Sequence, residues 1–329
     1  MAKKQFRSGR FLFGLICLLA AVALPMVLTT NYYIQLFSQT LINLIAVLGL
    51  NVVMGMAGQS NLGTIGIVAL GSYTASLIAQ STSQTTLIGL MAAVLVGVLI
   101  GFLLGYPSLR VSGIFLALTT TSVAQIVFSL SNNMQWLTGG AMGVKGYPLP
   151  KILFWQIANQ RQLYYFILFF AVLLIITSIR MTGSKWGRAM RAVRDNPEAV
   201  GPLGLSLTKL KIMAFLMATI LGCLAGAFYA WVTQYVAPTS FSTDNGTRFI
   251  VILMLGGIGS TAGVILGSII VTLLPEALRF MGDYYQLVFY SFALVLLLVY
   301  PRGLSHFFMT LPEKIRALAR GKSLPVKEE

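Results

Sequence analysis

The chain has 329 residues, 57% of them hydrophobic and only 9% charged, with a net charge of +15. A soluble domain carries roughly 25% charged residues, so a water-soluble globule is excluded and lipid must be part of the solvent. The basic residues cluster in short segments between apolar runs, a positive-inside pattern that argues against nucleic acid as a partner.

Residues 1–10 read MAKKQFRSGR, with four basic residues and no acid, and are expected in the cytoplasm. Apolar run 11–29 follows. No small-residue cleavage site comes after it, so a retained helix is expected rather than a signal peptide. Further apolar runs cover 34–56, 62–80, 86–105, 113–130, 163–179, 212–236, 247–258, 262–280 and 284–300. A crossing needs about 20 residues, which most runs supply and 247–258 does not unless it begins near Phe241. The runs are unbroken rather than alternating, so helices are expected, not a barrel. The fold class is therefore all-α, a polytopic membrane protein of about ten crossing helices.

The stretch GMAGQSNLGT, 55–64, joins two runs and places Gln59, Ser60, Asn61 and Thr64 among glycines. It is either a cytoplasmic turn or a break that exposes backbone and amides to a water-lined path. A second glycine cluster, LGGIGSTAG at 255–263, contains Gly256 and Gly257. Around these clusters GTIGIVALGSYTASLI from Gly63 echoes GSTAGVILGSIIVTLL from Gly259, which raises the prospect of repeated halves with broken helices. TTTSVAQ, 119–125, lies inside a run. Thr120, Thr121 and Gln125 either bond back to their own helix or face partner helices and the pathway.

Counting crossings puts 131–162 outside and 180–211 inside. The inner loop holds seven basic residues and two acids. Within it, GRAMRAVRDNPEAVGPLGL, 187–205, brings together Arg188, Arg191, Arg194, Asp195, Glu198, Ala199 and Gly204. Residues 187–195 suit a short surface helix, with Arg191 and Asp195 four apart and able to pair. Asn196-Pro197 stops that helix, and Asn196 can cap a second one with Pro197 at its first position. Lysine and arginine alone would anchor lipid head groups. Capped breaks, acids and a glycine at fixed distance suit docking to a protein. The tail 301–329 is again basic and expected inside.

No run carries a charge near its centre. Arg248 falls near the start of its run, and Glu276 and Arg279 toward the end of theirs. This argues against a proton relay. No G-x-x-x-x-G-K-[ST] phosphate loop is present. Cys17 and Cys223 lie in apolar runs and read as small hydrophobes, and the lone His306 follows the last run.

Several motifs resemble those of branched-chain amino-acid (LivH/LivM type) ABC permeases, most closely the LivM-type subunit. They are GQSNLG at 58–63 with GSYTASL at 71–77, RVSGIFLALTT at 110–120, LTGGAMGV at 137–144, the 187–205 loop, KLKIMAFLMATILGCLAGAFYA at 209–230 and LGGIGSTAGVILGS at 255–268. The loop resembles the EAA loop of ABC importers, with Glu198, Ala199 and Val200 in the E-A-A places and Gly204 as its glycine. Asn61 stands where the family usually has serine, Thr64 where it often has histidine, and Pro202 interrupts the docking helix, which is expected to kink or start late. The resemblance implies a transport subunit in a prokaryotic cell membrane, with both termini cytoplasmic, that binds no cofactor of its own. It implies two separate ABC ATPase subunits that use ATP, a LivH-like permease paralogue as heterodimer partner, an external solute-binding protein and membrane lipid as partners. Branched-chain or related amino acids are the implied cargo. Urea or short amides are the alternative within the same architecture, and an ATP-independent carrier or channel is the alternative outside it. Under this reading the loop residues couple to the ATPase, while Gln59, Ser60, Asn61, Thr64, Thr120, Thr121, Gln125, Gly256 and Gly257 line the pathway.

Overall fold

The computed structural model describes residues 19, 21–26, 30–82, 86–152, 155–157, 159–202, 204–300, 303 and 304. Segment 1–10, Cys17, His306 and nearly all of the tail 301–329 lie outside the described residues. Apolar run 11–29 lies largely outside them, and its described residues, 19 and 21–26, are helical.

The apolar runs form helices, as their composition requires in lipid. In chain order these are α1 (Asn31–Leu50), which continues as a π-helical turn Asn51–Met56, then α2 (Thr64–Thr82), α3 (Thr86–Gly105), α4 (Ile114–Asn133), α5 (Gln160–Gly183), α6 (Lys185–Asp195), α7 (Leu207–Thr233), α8 (Thr243–Gly256), α9 (Thr261–Ala277) and α10 (Tyr285–Val299). The protein is a multi-pass membrane protein. Among the described residues five segments are long and apolar enough to cross: Asn31–Met56, Leu87–Leu109, Ile114–Asn133, Gln160–Gly183 and Leu207–Thr233. Helix length therefore does not establish the ten crossings expected from the runs. Part of the shortfall has a physical cause. Helices α8, α9 and α10 have 14, 17 and 15 residues, which reach roughly 21–26 Å at 1.5 Å per residue against a hydrocarbon core of about 30 Å.

Helix α7 is the axis of the bundle and packs against α1, α2 and α3 through small residues. A methyl group on Gly71 of α2 would overlap the Cys223 carbonyl, and one on Gly226 would overlap the Val68 carbonyl. Such close approach is how membrane helices gain van der Waals contact when lipid is as apolar as leucine. Ser72 Oγ donates to the Gly226 carbonyl at 2.8 Å across the same seam. On another side, Phe166 and Phe170 of α5 meet Phe228 and Trp231 of α7 edge-on or tilted, with Phe170–Phe228 centroids 5.5 Å apart. Cys223 is buried at this axis, which agrees with its reading as a small hydrophobe.

The all-α expectation misses four two-residue strands. Strand β1 (Val144–Lys145) pairs antiparallel with β4 (Tyr235–Val236), and β2 (Lys151–Ile152) pairs with β3 (Trp155–Gln156). The first pair ties the 134–159 loop to the end of α7. Tyr147 reinforces the tie by donating to the Ala230 carbonyl at 2.6 Å, and burial raises its hydroxyl's pKa above the ordinary tyrosine value. The strands mark one end of the bundle and α6, between α5 and α7, marks the other.

Candidate functional site

Helix α6 begins where Ser184 Oγ accepts from the Gly187 amide at 3.2 Å, an N-cap. It buries Ala189, Met190 and Val193 and exposes Arg188, Arg194 and Asp195. Arg188 Nη1 donates to the Gly183 carbonyl (2.9 Å) and Arg191 Nη2 to the Thr182 carbonyl (3.0 Å). Both cations thus satisfy orphan acceptors at the end of α5. That engagement overturns the expected Arg191–Asp195 pair: Asp195 pairs with Arg194 Nε instead, at 3.0 Å.

The helix stops before Pro197, and Asn196 Oδ1 accepts from the Glu198 amide at 3.2 Å. The expected second helix is only a single 3-10 turn, Glu198–Val200, which includes Ala199. An α-helix there would need an N–H at Pro202 for the Glu198 carbonyl, and proline has none. Glu198 is exposed, and Gly204 is exposed with a left-handed φ of 71° and open space around it.

At the same end of the bundle α1 breaks. Its π-helical turn closes with Ala57 N donating to the Val52 carbonyl at 3.1 Å, and residues 57–63 are non-helical. Single π turns inside helices concentrate at functional sites. Arg194 Nη1 donates to the Gly55 carbonyl at 2.7 Å. The aliphatic stem of Arg194 lies over Gly58, where φ is 67° and a side chain would collide with it, so two constraints select glycine. The second break, 257–260, meets the first: the Gly259 amide donates to Asn51 Oδ1 at 2.8 Å. The backbones of Gly256 and Gly263 touch, and Gly257 has a φ of 104°. The chain is thus broken between α1 and α2 at 57–63, and the two glycine clusters adjoin each other and Arg194.

The chain after the break turns back into the bundle. Gly63 abuts the Thr120 carbonyl, Gly66 abuts Ala124, and Gly246 abuts Ile65. Ala124 is near the middle of the twenty-residue α4, so α2 and α8 both begin near the mid-level of the bundle. Gln59, Asn61 and Thr64 are buried here and Ser60 is half-buried. Asn61 Oδ1 accepts from the Gly63 amide (3.0 Å), and Thr120 Oγ1 accepts from the Leu62 amide (3.1 Å). Thr120 and Thr121 both donate to the Ala117 carbonyl at 2.9 Å. Their hydroxyls thus serve the backbone, the packing reading, and Thr120 also holds the break. Five buried polar atoms around the break have no hydrogen bond to the protein: Gln59 Nε2 and Oε1, Asn61 Nδ2, Thr64 Oγ1 and Asn51 Nδ2. Buried amides are costly to leave unpaired, so this cluster concentrates hydrogen-bonding capacity at the break.

Gln125 lies one turn beyond Thr121 on α4. It is exposed, and its Oε1 accepts from Thr243 Oγ1 at 3.3 Å. Thr243 opens α8, and the first turns of that helix carry Arg248 together with Asp244, which the sequence analysis did not single out. Arg248 was placed near the start of its run, away from the centre, yet α8 starts so deep that Arg248 sits near mid-level. The shortness of run 247–258 was the available signal.

A family model described as "Branched-chain amino acid transport system / permease component" matches residues 32–300. The high-affinity branched-chain amino acid transport system permease protein LivM of Salmonella typhimurium is 30% identical over 316 residues, covering 89% of this chain and 74% of the relative. LivM of Escherichia coli is 30% identical over 321 residues with the same coverage. The corresponding permease protein LivH of Salmonella typhimurium is 26% identical over 197 residues, 58% of each chain. No solved structure matches the chain.

Proposed function

This chain belongs to the branched-chain amino acid ABC permease family, LivM type, and from that premise we propose that it is the membrane-spanning subunit of an ATP-driven importer of branched-chain amino acids. It is a transport subunit and not an enzyme. Two separate ATPase chains use the nucleotide, this chain binds none, an external solute-binding protein delivers the cargo, and a LivH-like paralogue completes the pathway. Both termini are cytoplasmic and the chain crosses ten times, through the run 11–29, α1–α5 and α7–α10.

The observation that carries this reading is the junction at Arg194. A polar helix on the bundle's surface hydrogen-bonds directly to the break in α1, which in turn meets the break between α8 and α9. A partner that moves α6 moves the two breaks with it. In this scheme Arg188, Arg191, Arg194, Asp195, Glu198, Ala199 and Gly204 present the docking surface, and Gln59, Ser60, Asn61 and Thr64 lie where the pathway narrows. Ligand and nucleotide then bias two arrangements of one bundle.

The test is uptake of radiolabelled leucine by vesicles holding the chain with its ATPase, paralogue and binding protein. ATP-dependent uptake, together with a crosslink from Gly204→Cys to the ATPase chain, is the expected result. Uptake that persists without the ATPase, or crosslinks that reach only lipid, would sink the reading.

A further inference from the structure

We propose that Asp244 and Arg248 form a charged clamp for the ammonium and carboxylate of a zwitterionic amino acid on a water-lined face of the chain, an inference that rests on the importer reading above. The two residues are four apart on α8, so they share one face with Cβ atoms about 6 Å apart. Both are exposed. Among the described residues no ion pair or side-chain hydrogen bond engages either charge, although the spacing would let them pair with each other.

Their depth makes this unusual. Gly246, between them, abuts Ile65, and Gly66 next to Ile65 abuts the middle of α4. An exposed carboxylate and guanidinium near mid-level cannot face hydrocarbon, because such groups in a membrane face a bundle interior or a water-filled cavity. The neighbouring face of α4 agrees. Ser122, Gln125 and Ser129 recur at spacings of three and four, a single helical stripe, and all three are exposed. Gln125 joins the stripe to α8 through Thr243. The guanidinium offers a planar fork that fits a carboxylate through two hydrogen bonds, and Asp244 is the complementary anion for an ammonium. A neutral solute such as urea would make no use of paired opposite charges.

The experiment has two arms in the assembled transporter. In a chain carrying Cys17→Ser and Cys223→Ser, Arg248→Cys and Gln125→Cys are treated with a charged methanethiosulfonate reagent in membranes, with Phe169→Cys on the exposed apolar face of α5 as comparison. Labelling of the first two but not the third is expected, and no labelling at position 248 overturns the water-lined face. In the second arm leucine uptake is measured for Asp244→Asn, Arg248→Gln and Arg248→Lys, with co-purification of the ATPase chain verifying assembly. Maximal uptake falls at least tenfold for Asp244→Asn and Arg248→Gln. The KM for the loaded binding protein holds, and Arg248→Lys recovers part of the rate. Wild-type uptake by both neutral variants overturns the clamp. A wild-type assembly that carries no leucine instead overturns the importer reading itself, a result the variants are not needed to reveal.

Discussion

Arg194 Nη1 lies 2.7 Å from the Gly55 carbonyl oxygen, joining residues 139 positions apart. The acceptor belongs to a π-helical turn, and the same guanidinium holds Asp195 through Nε. Arg194 is partly exposed, with 37% of its side chain accessible, so it is at once surface and junction.

Removing that junction should separate ATP hydrolysis from transport. Arg194→Ala deletes a hydrogen bond from a charged donor, a class worth about 1.5–3 kcal/mol, so leucine uptake is expected to drop about tenfold or more while hydrolysis by the complex drops much less. Lysine has a compact ammonium and not a fork, so Arg194→Lys should resemble alanine more than wild type. Equal losses of uptake and hydrolysis in Arg194→Ala would remove the mechanical role.

The glycine seam on α7 predicts a stability contrast. Gly71→Leu forces a side chain into the Cys223 backbone and should destabilise the fold by about 3 kcal/mol or more, the upper end for overpacking. Gly183 has open space around it and closes α5, so Gly183→Ala should leave the thermal midpoint unchanged or raise it slightly through helix propensity. Midpoints in detergent that do not separate the two variants would contradict the seam.

Asn51 holds the second break. Asn51→Leu removes the acceptor of the Gly259 amide and leaves a donor at the junction unsatisfied, at about 1–3 kcal/mol. Hydrogen exchange over 257–260 should accelerate, with little change in the α3–α7 seam. Unaltered exchange at Gly259 would show that the turn does not depend on Asn51.

Ser184 positions α6. Ser184→Ala removes the cap on Gly187 and should weaken the helix by about 1 kcal/mol, whereas Ser184→Asp retains a good cap. Exchange of amides 185–190 measures the difference directly, and identical rates for alanine and wild type would refute the cap.

Much of this protein is legible along the chain because its causes are local. Lipid forces apolar runs into helices, so their rough placement follows from composition. Glycine, proline and asparagine stop helices by their own backbone chemistry, so the break at 55–64, the stop at Asn196-Pro197 and the turn at 257–260 stand where the residues place them. The basic loop announces a polar element on the same grounds.

What only the packed bundle decided is which of these local features meet. Asp195 pairs with Arg194 and not with Arg191, which is engaged by the end of α5. Asn51 finds Gly259 across 208 positions. Arg248 lies near mid-level because α8 starts beside the middle of α4, a depth set by glycines that admit close backbone approach. Hydrophobicity and propensity act over a few residues. Contact between distant segments depends on the summed fit of many small interfaces, and no single stretch of sequence carries that sum.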